Sequence, residues 1–316
     1  MQNNNPFLYS QDNKRYHTLH YANMKKYGGR VYKAVVDAGF TCPNRDGTKS
    51  RAGCIFCSNR SGIFTFGALS VEQQLEKEIA RIHAKVPNAK VVAYFQAGTN
   101  TYAPLPALQA AITGVKQNPW VVGISLGTRP DCLPQSILDY LEAVNHEKEI
   151  TIELGLQTIH DSTARVINRC YDYNCFLQAY TALKQRGIRV CVHLINGLPQ
   201  ESSEMMVQSA KAVGQLGVDG VKIHALHIID TTPLAQAYCA GSYVPMSQEA
   251  YINTVVEQLA YLPAKTVVER LTGDGDKRTL LAPMWSRDKI KVLGSIDKRQ
   301  AELNTWQGKF YSGMPK

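Results

Sequence analysis

Ile150-Thr151-Ile152-Glu153-Leu154-Gly155-Leu156-Gln157 puts Ile152, Leu154 and Leu156 on one parity and Glu153, Gly155 and Gln157 on the other. Period-two alternation sends successive side chains to opposite faces of a strand. Strand-like runs recur at 31–36, 90–96, 121–126, 189–195 and 221–227. The segments between them have helical spacing. In 70–86 the apolar Val71, Leu75, Ile79, Ile82 and Val86 share one face, and Ser70 with Gln73 makes a capping-box pattern at its start. Residues 105–115, 137–144, 176–183 and 205–216 fill the remaining gaps. Such alternation predicts α/β architecture with a parallel sheet, because parallel strands need crossover connections. Periodicity alone leaves a partial barrel of six β-α units and a doubly wound sheet both open. After Thr231 the pattern changes to two helical segments, 248–262 and 286–303, around a strand-like 266–271.

Buried parallel strands usually read as continuous apolar runs. Here the fifth sets Val190, Val192 and Leu194 against Cys191, His193 and Ile195, and the sixth sets Val221, Ile223 and Ala225 against Lys222, His224 and Leu226. In the second, Tyr94 and Gln96 oppose Val91, Ala93 and Phe95. The apolar set is expected against the helices. The polar set is expected to line an interior, where unpaired groups are costly and a bound polar ligand would satisfy them. In barrel enzymes such residues gather near the carboxyl ends of the strands.

Just after the first strand, Cys42 is followed by eleven residues and then Cys54-Ile55-Phe56-Cys57. Pro43, Asn44, Asp46, Gly47, Ser50 and Gly53 make this stretch a loop. With only 8 cysteines in 316 residues, three within sixteen point to a metal centre. Iron–sulfur and zinc both take soft thiolates, and the residues alone leave the two open. Three thiolates without an evident fourth ligand suggest a centre with one position free for chemistry. The start, Met1-Gln2-Asn3-Asn4-Asn5, lacks a cationic, apolar signal sequence, and no apolar run reaches the ~20 residues that span a bilayer. A cytoplasmic location without membrane partners is therefore expected. The net charge of +9 allows an anionic partner such as RNA.

Gly39-Phe40-Thr41-Cys42-Pro43-Asn44-Arg45-Asp46-Gly47-Thr48 with Gly53-Cys54-Ile55-Phe56-Cys57 resembles a bacterial branch of the radical S-adenosylmethionine (radical SAM) enzymes. That branch is similar in its core to the Elongator catalytic subunit and the methylthiotransferases. Thr128-Arg129-Pro130-Asp131 and Arg270-Leu271-Thr272-Gly273-Asp274-Gly275 carry the resemblance further along the chain. The first gap of eleven departs from the commonest pattern, which has three.

The resemblance implies a partial (β/α)6 TIM-like barrel with a small C-terminal α/β extension. Domain limits are expected at 1–30 for an N-terminal extension, 31–230 for the core and 231–316 for a C-terminal extension covering the barrel. It also implies a [4Fe-4S] cluster on Cys42, Cys54 and Cys57, with S-adenosylmethionine on the fourth iron. Gln96, Ala97, Gly98 and Thr99 fall where the family holds the methionine amino group, and Glu153 and Gln157 where it contacts the ribose. Arg169 falls where a guanidinium meets the methionine carboxylate, and Leu194 lies in the adenine-packing strand. Arg129 and Asp131 are expected in an extended loop, orienting substrate or bracing one another. His193, His224, Arg270 and Asp274 are further substrate candidates, with 270–278 either closing over the barrel or forming a simple polar turn. The remaining cysteines, Cys132, Cys170, Cys175, Cys191 and Cys239, are expected as buried free thiols; a second cluster or catalytic thiol at Cys170 or Cys175 is the alternative. Implied partners are a low-potential electron donor of flavodoxin or ferredoxin type and a substrate, with tRNA first. A small-molecule or protein substrate, or a non-catalytic zinc-dependent RNA-binding protein, are the rival readings.

Overall fold

The chain is described by a computed structural model over residues 5–58, 69–96, 98–273 and 278–313. Each expected strand forms, and the expected helices lie between them. The order is α1 (Leu19–Tyr27), β1 (Val31–Val36), α2 (Val71–His83), β2 (Lys90–Phe95), α3 (Leu105–Lys116), β3 (Val121–Thr128), α4 (Gln135–Glu147), β4 (Ile150–Gln157), α5 (Asp161–Val166), α6 (Tyr173–Gln185), β5 (Arg189–Asn196), α7 (Ser203–Leu216) and β6 (Gly220–Ala225). There follow β7 (Ile228–Ile229), α8 (Pro233–Cys239), α9 (Gln248–Tyr261), β8 (Val267–Arg270), β9 (Leu280–Ala282) and α10 (Lys289–Glu302). The capping box is realised at α2, with Ser70 and Gln73 each satisfying the other's backbone N–H.

Among the described residues the main sheet has seven strands, all parallel, in the order β1-β2-β3-β4-β5-β6-β8. The seventh is the strand-like stretch expected beyond the six units; it joins the same sheet beside β6. At about 4.8 Å per strand, β1 and β8 would stand about 29 Å apart in a flat sheet. Yet Lys33 of β1 reaches Glu153 of β4 at 2.7 Å and Glu269 of β8 at 3.2 Å. First, middle and last strands aim side chains at one point, so the sheet is curled into a half-barrel. The outer edge of β8 is covered by the segment entering α1: His17 O accepts from Val268 N at 2.7 Å, and Thr18 bridges Val268.

The outward parity packs under the helices as expected. Val91, Ala93 and Phe95, Ile152, Leu154 and Leu156, and Val190, Val192 and Leu194 share one core with Leu75 and Ile79 of α2 and Val213 of α7. A smaller apolar cluster at the mouth joins Ile167, Leu198, Leu226, Ile228, Leu234 and Ala282, with Ile55 and Phe56 packed against it. The segment 286–303 departs from one continuous helix: a 3-10 turn (Met284–Arg287) precedes α10, which begins where the Asp288 side chain caps Lys291 N. Among the described residues, no helix is long and apolar enough to cross a membrane.

Candidate active site

The loop after β1 folds around its own main chain. Cys42 O accepts from Arg45 N and Asp46 N, Asn44 O from Gly53 N, and Cys54 O from Cys57 N. It is stapled to the mouth on both sides: Ile55 N donates to Ile167 O at 3.1 Å, and Leu234 N donates to Ile55 O at 3.0 Å. Buried Asn44 donates to Asn168 O at 2.6 Å, and Asn168 donates back to Gly53 O at 2.7 Å. Arg45 donates to Cys57 O and, at 2.8 Å, to Ser58 O. The loop is thus held by main-chain and side-chain bonds, with Cys42, Cys54 and Cys57 half-buried and outside any disulfide; Asn44 Nδ2 donates to Cys54 Sγ at 3.5 Å, and Cys57 Sγ lies 3.9 Å from Ser58 O. Burial, with Cys57 and Cys42 nearby, pushes the Cys54 thiol up to about 12 against the pull of Arg129 and Asn44. Among the described residues, no three His, Cys, Asp or Glu side chains are grouped tightly enough to share one metal ion, the triad included.

The end of β2 docks on the residues just before Cys42. Thr99 N donates to Thr41 O at 3.0 Å. Gly98 has φ +68°, and a Cβ there would lie 2.0 Å from Phe40 O, so only glycine allows this approach. Gln96 is exposed and Thr99 buried, while Ala97 lies outside the described residues.

Arg129 and Asp131 brace one another, with Nε and Nη2 meeting the two carboxylate oxygens at 2.9 and 2.8 Å; Lys49 adds a third bond at 2.6 Å. Arg129 keeps the extended backbone that Pro130 imposes, but Pro130–Cys132 form a 3-10 turn in place of the expected extended loop. The Arg129 and Arg169 guanidinium groups lie 4.8 and 4.5 Å from the centre of the Tyr171 ring. The Tyr171 hydroxyl is 3.0 Å from Gln157 Oε1 and 3.1 Å from Gly155 O, where β4 bulges and Gln157 takes φ +63°. Arg169 is fully buried and donates to the carbonyls of Tyr171, Leu156 and Thr158; only Nη2 lacks a hydrogen bond, 3.6 Å from Asp161.

The interior departs most from expectation. Glu153 accepts from Lys33 (2.7 Å), Ser125 (2.9 Å), His193 (3.0 Å) and Lys222, and Glu269 accepts from Lys33 (3.2 Å) and Arg189 (2.7 Å). The deep polar groups therefore satisfy each other, and a ribose hydroxyl at Glu153 would compete with four donors. Burial alone would raise the Glu153 carboxyl, but Lys33, Lys222 and His193 hold it well below the usual range. Glu269 is drawn down to about 2, Lys33 and Arg189 overcoming its burial. The Leu194 side chain faces the helices, leaving only its main chain for a ligand. Higher in the interior, the His224 ring lies 5.6 Å from that of His193, and its pKa is driven well down by burial, His193 and Arg270. His227 falls to about 4 through burial and Lys289. Asp274 lies outside the described residues, and Arg270 is within electrostatic reach of His224. Of the other cysteines, Cys132 and Cys191 are buried, Cys175 is half-buried, and Cys170 and Cys239 are exposed. The exposed pair corrects the expectation of burial: Cys170 sits in a loop at φ +65°, and Cys239 ends the short α8.

Sequence reasoning missed Lys33, Glu269, Tyr171, His227 and Thr272. Lys33 carried the same signal as Glu153, a lone charge inside an otherwise uncharged strand, whereas Glu269 stands beside Arg270 at the end of β8.

Comparison with known proteins identifies the family. Residues 42–213 match the model of the radical SAM superfamily, and 218–302 match the radical SAM C-terminal domain. The chain is 45% identical over 317 residues to YtqA of Bacillus subtilis (strain 168), covering 99% of this chain and 98% of that protein. It is 36% identical over 280 residues to YhcC of Escherichia coli (strain K12), covering 87% and 88%. Among solved structures, Elp3 of the archaeon Methanocaldococcus infernus, lacking its first 46 residues, superposes with a TM-score of 0.69 at 17% identity. That match covers 88% of this chain but spans only 64% of the Elp3 chain, and it speaks to the fold alone.

Proposed function

The chain belongs to the radical SAM superfamily of enzymes, and from that premise we propose that Cys42, Cys54 and Cys57 hold a [4Fe-4S] cluster with which it modifies an RNA base, tRNA first. The superfamily in general uses S-adenosylmethionine, a [4Fe-4S] cluster and an external reductant. Held by Cys42, Cys54 and Cys57, such a cluster would supply one electron to the sulfonium of S-adenosylmethionine, whose S–C5′ bond would break to methionine and a 5′-deoxyadenosyl radical able to take hydrogen from a substrate. The observation that carries the reading is the triad loop itself: backbone bonds fix it at the carboxyl end of β1 while three thiols stay unbonded to other sulfurs.

Gly98 and Thr99, with Gln96, present main chain and side chain beside Cys42 and are our candidates for the amino group of S-adenosylmethionine. Arg129, fixed by Asp131, sets a cation within reach of Cys42 and Cys54 and would offset the charge of the bound thiolates. Arg169 with Tyr171 would position β4 against the triad loop, and residues 231–316 would cover the mouth. The electron is expected from a flavodoxin- or ferredoxin-type donor. RNA is favoured by the net charge of +9 and by the resemblance of the motifs to the Elongator catalytic subunit. Mass spectrometry of tRNA nucleosides from a deletion strain tests the substrate without a prior guess. Loss of one modified nucleoside is expected. Unaltered nucleosides together with a changed metabolite or peptide pool would overturn RNA as substrate.

A further inference from the structure

At the carboxyl ends of β6 and β8, three buried polar atoms have no hydrogen-bond partner among the described residues: His224 Nε2, His227 Nε2 and Thr272 Oγ1. They belong to one neighbourhood. A Cβ on Gly273 would lie 2.9 Å from His227 Cε1 and 3.4 Å from His224 Nδ1, so the backbone next to Thr272 rests on both rings. Thr272 itself is only 3% exposed. Each such orphan is costly unless something bonds to it. Deeper in the same interior, Glu153 and Glu269 bond Lys33, Lys222 and Arg189, so these orphans sit above a network whose members are already bonded to one another.

The charge around the orphans is positive. His224 lies within electrostatic reach of Arg270, Lys222 and His193, and His227 within reach of Lys289. Arg270 and Lys289 also have interactions of their own. A divalent cation does not suit such a place: among the described residues no three ligating side chains are grouped here, and the flanking cations would repel it. Imidazole N–H, hydroxyl, guanidinium and ammonium groups all donate. A set rich in donors beside fixed positive charge fits a group that only accepts.

We propose that His224, His227 and Thr272, backed by Arg270 and Lys289, form a subsite for an oxyanion carried by the substrate, either a phosphate diester or a carboxylate. The proposal rests on the radical SAM reading for placing substrate at this mouth, but its test reads binding alone. The full-length chain with its cluster is titrated with dimethyl phosphate and, separately, with acetate, following the imidazole resonances of His224 and His227 by NMR. One probe is expected to give a saturable shift of both histidines. Dimethyl phosphate as the better probe identifies an RNA backbone contact, and acetate a carboxylate on the substrate. Thr272→Val keeps the shape and removes the hydroxyl; it and His224→Gln should each weaken the better probe about tenfold, as loss of a hydrogen bond to a charged group does.

No saturable shift with either probe overturns the subsite. So does unchanged probe binding in Thr272→Val, which would leave the hydroxyl a structural misfit whose removal only stabilises the chain. Cleavage of S-adenosylmethionine, measured on the same preparation without substrate, keeps the two claims apart. Cleavage without probe binding sinks the subsite alone, and probe binding without cleavage sinks the radical reading alone.

Discussion

Glu153 shows how one residue can read one way in the sequence and another in space. Its parity places it inside the half-barrel, where a ligand contact was the natural expectation, yet four donors from four other strands occupy its two oxygens. Two of them, Lys33 and Lys222, are lysines whose ammonium groups have few alternatives in that interior. Removing one partner of a buried ion pair strands the others and costs about 3–5 kcal/mol. Glu153→Ala is therefore expected to lower the unfolding free energy of the cofactor-free chain by that order, seen as a large fall in the urea midpoint. A midpoint within experimental error of the parent would mean the lysines are satisfied elsewhere and would return the carboxylate to a ligand role. Arg169 teaches the same lesson from the loop side. A guanidinium in Ile-Asn-Arg-Cys-Tyr-Asp gives no sign that it will be buried under three carbonyls, because those carbonyls come from the strand end and the loop around it.

At the scale of elements, the strands were legible because a period-two pattern survives wherever one face meets helices. β1 was anticipated to the residue, and the others to within two. The triad loop was legible because cysteine is rare and Pro and Gly exclude regular structure. α1 was not legible: it buries no residue fully and so carries no apolar stripe. α5, β7 and β9 are too short to show a period. Nor does parity tell which interior groups meet, since Lys33 and Glu153 lie on strands far apart in sequence. The histidines at the ends of β5 and β6 add a testable property of these elements. Burial and neighbouring positive charge lower His193, His224 and His227 below 6.5, His227 to about 4. The unfolded chain then takes up protons that the folded chain refuses. Their contribution is complete above about pH 6.5 and is lost as pH falls towards 4. A shift like that of His227 is worth up to about 3 kcal/mol, at about 1.4 kcal/mol per unit. Urea midpoints should fall between pH 7 and 4.5, and His227→Gln should flatten part of that fall. An unchanged pH slope in the variant would show that His227 titrates normally.

For the whole molecule, the curl of the sheet turns a list of separated motifs into one site. The triad loop follows β1, the Gly98 approach ends β2, the Arg129–Asp131 pair ends β3, and Tyr171 locks the end of β4; all stand at the same rim of a seven-stranded half-barrel. The polar network lower down closes the space between β1 and β8, so a ligand has the upper rim and not the floor to itself. The central claim is that the rim holds a [4Fe-4S] cluster on Cys42, Cys54 and Cys57 that cleaves S-adenosylmethionine. The most direct measurement is iron and sulfide content after anaerobic reconstitution, paired with reductive formation of 5′-deoxyadenosine, in the parent chain and in each Cys→Ala variant. About four irons and four sulfides per chain are expected in the parent, with cleavage abolished in all three variants while the chain stays folded. Stoichiometric zinc without iron-dependent absorption, or cleavage that survives any one of the three substitutions, would contradict it.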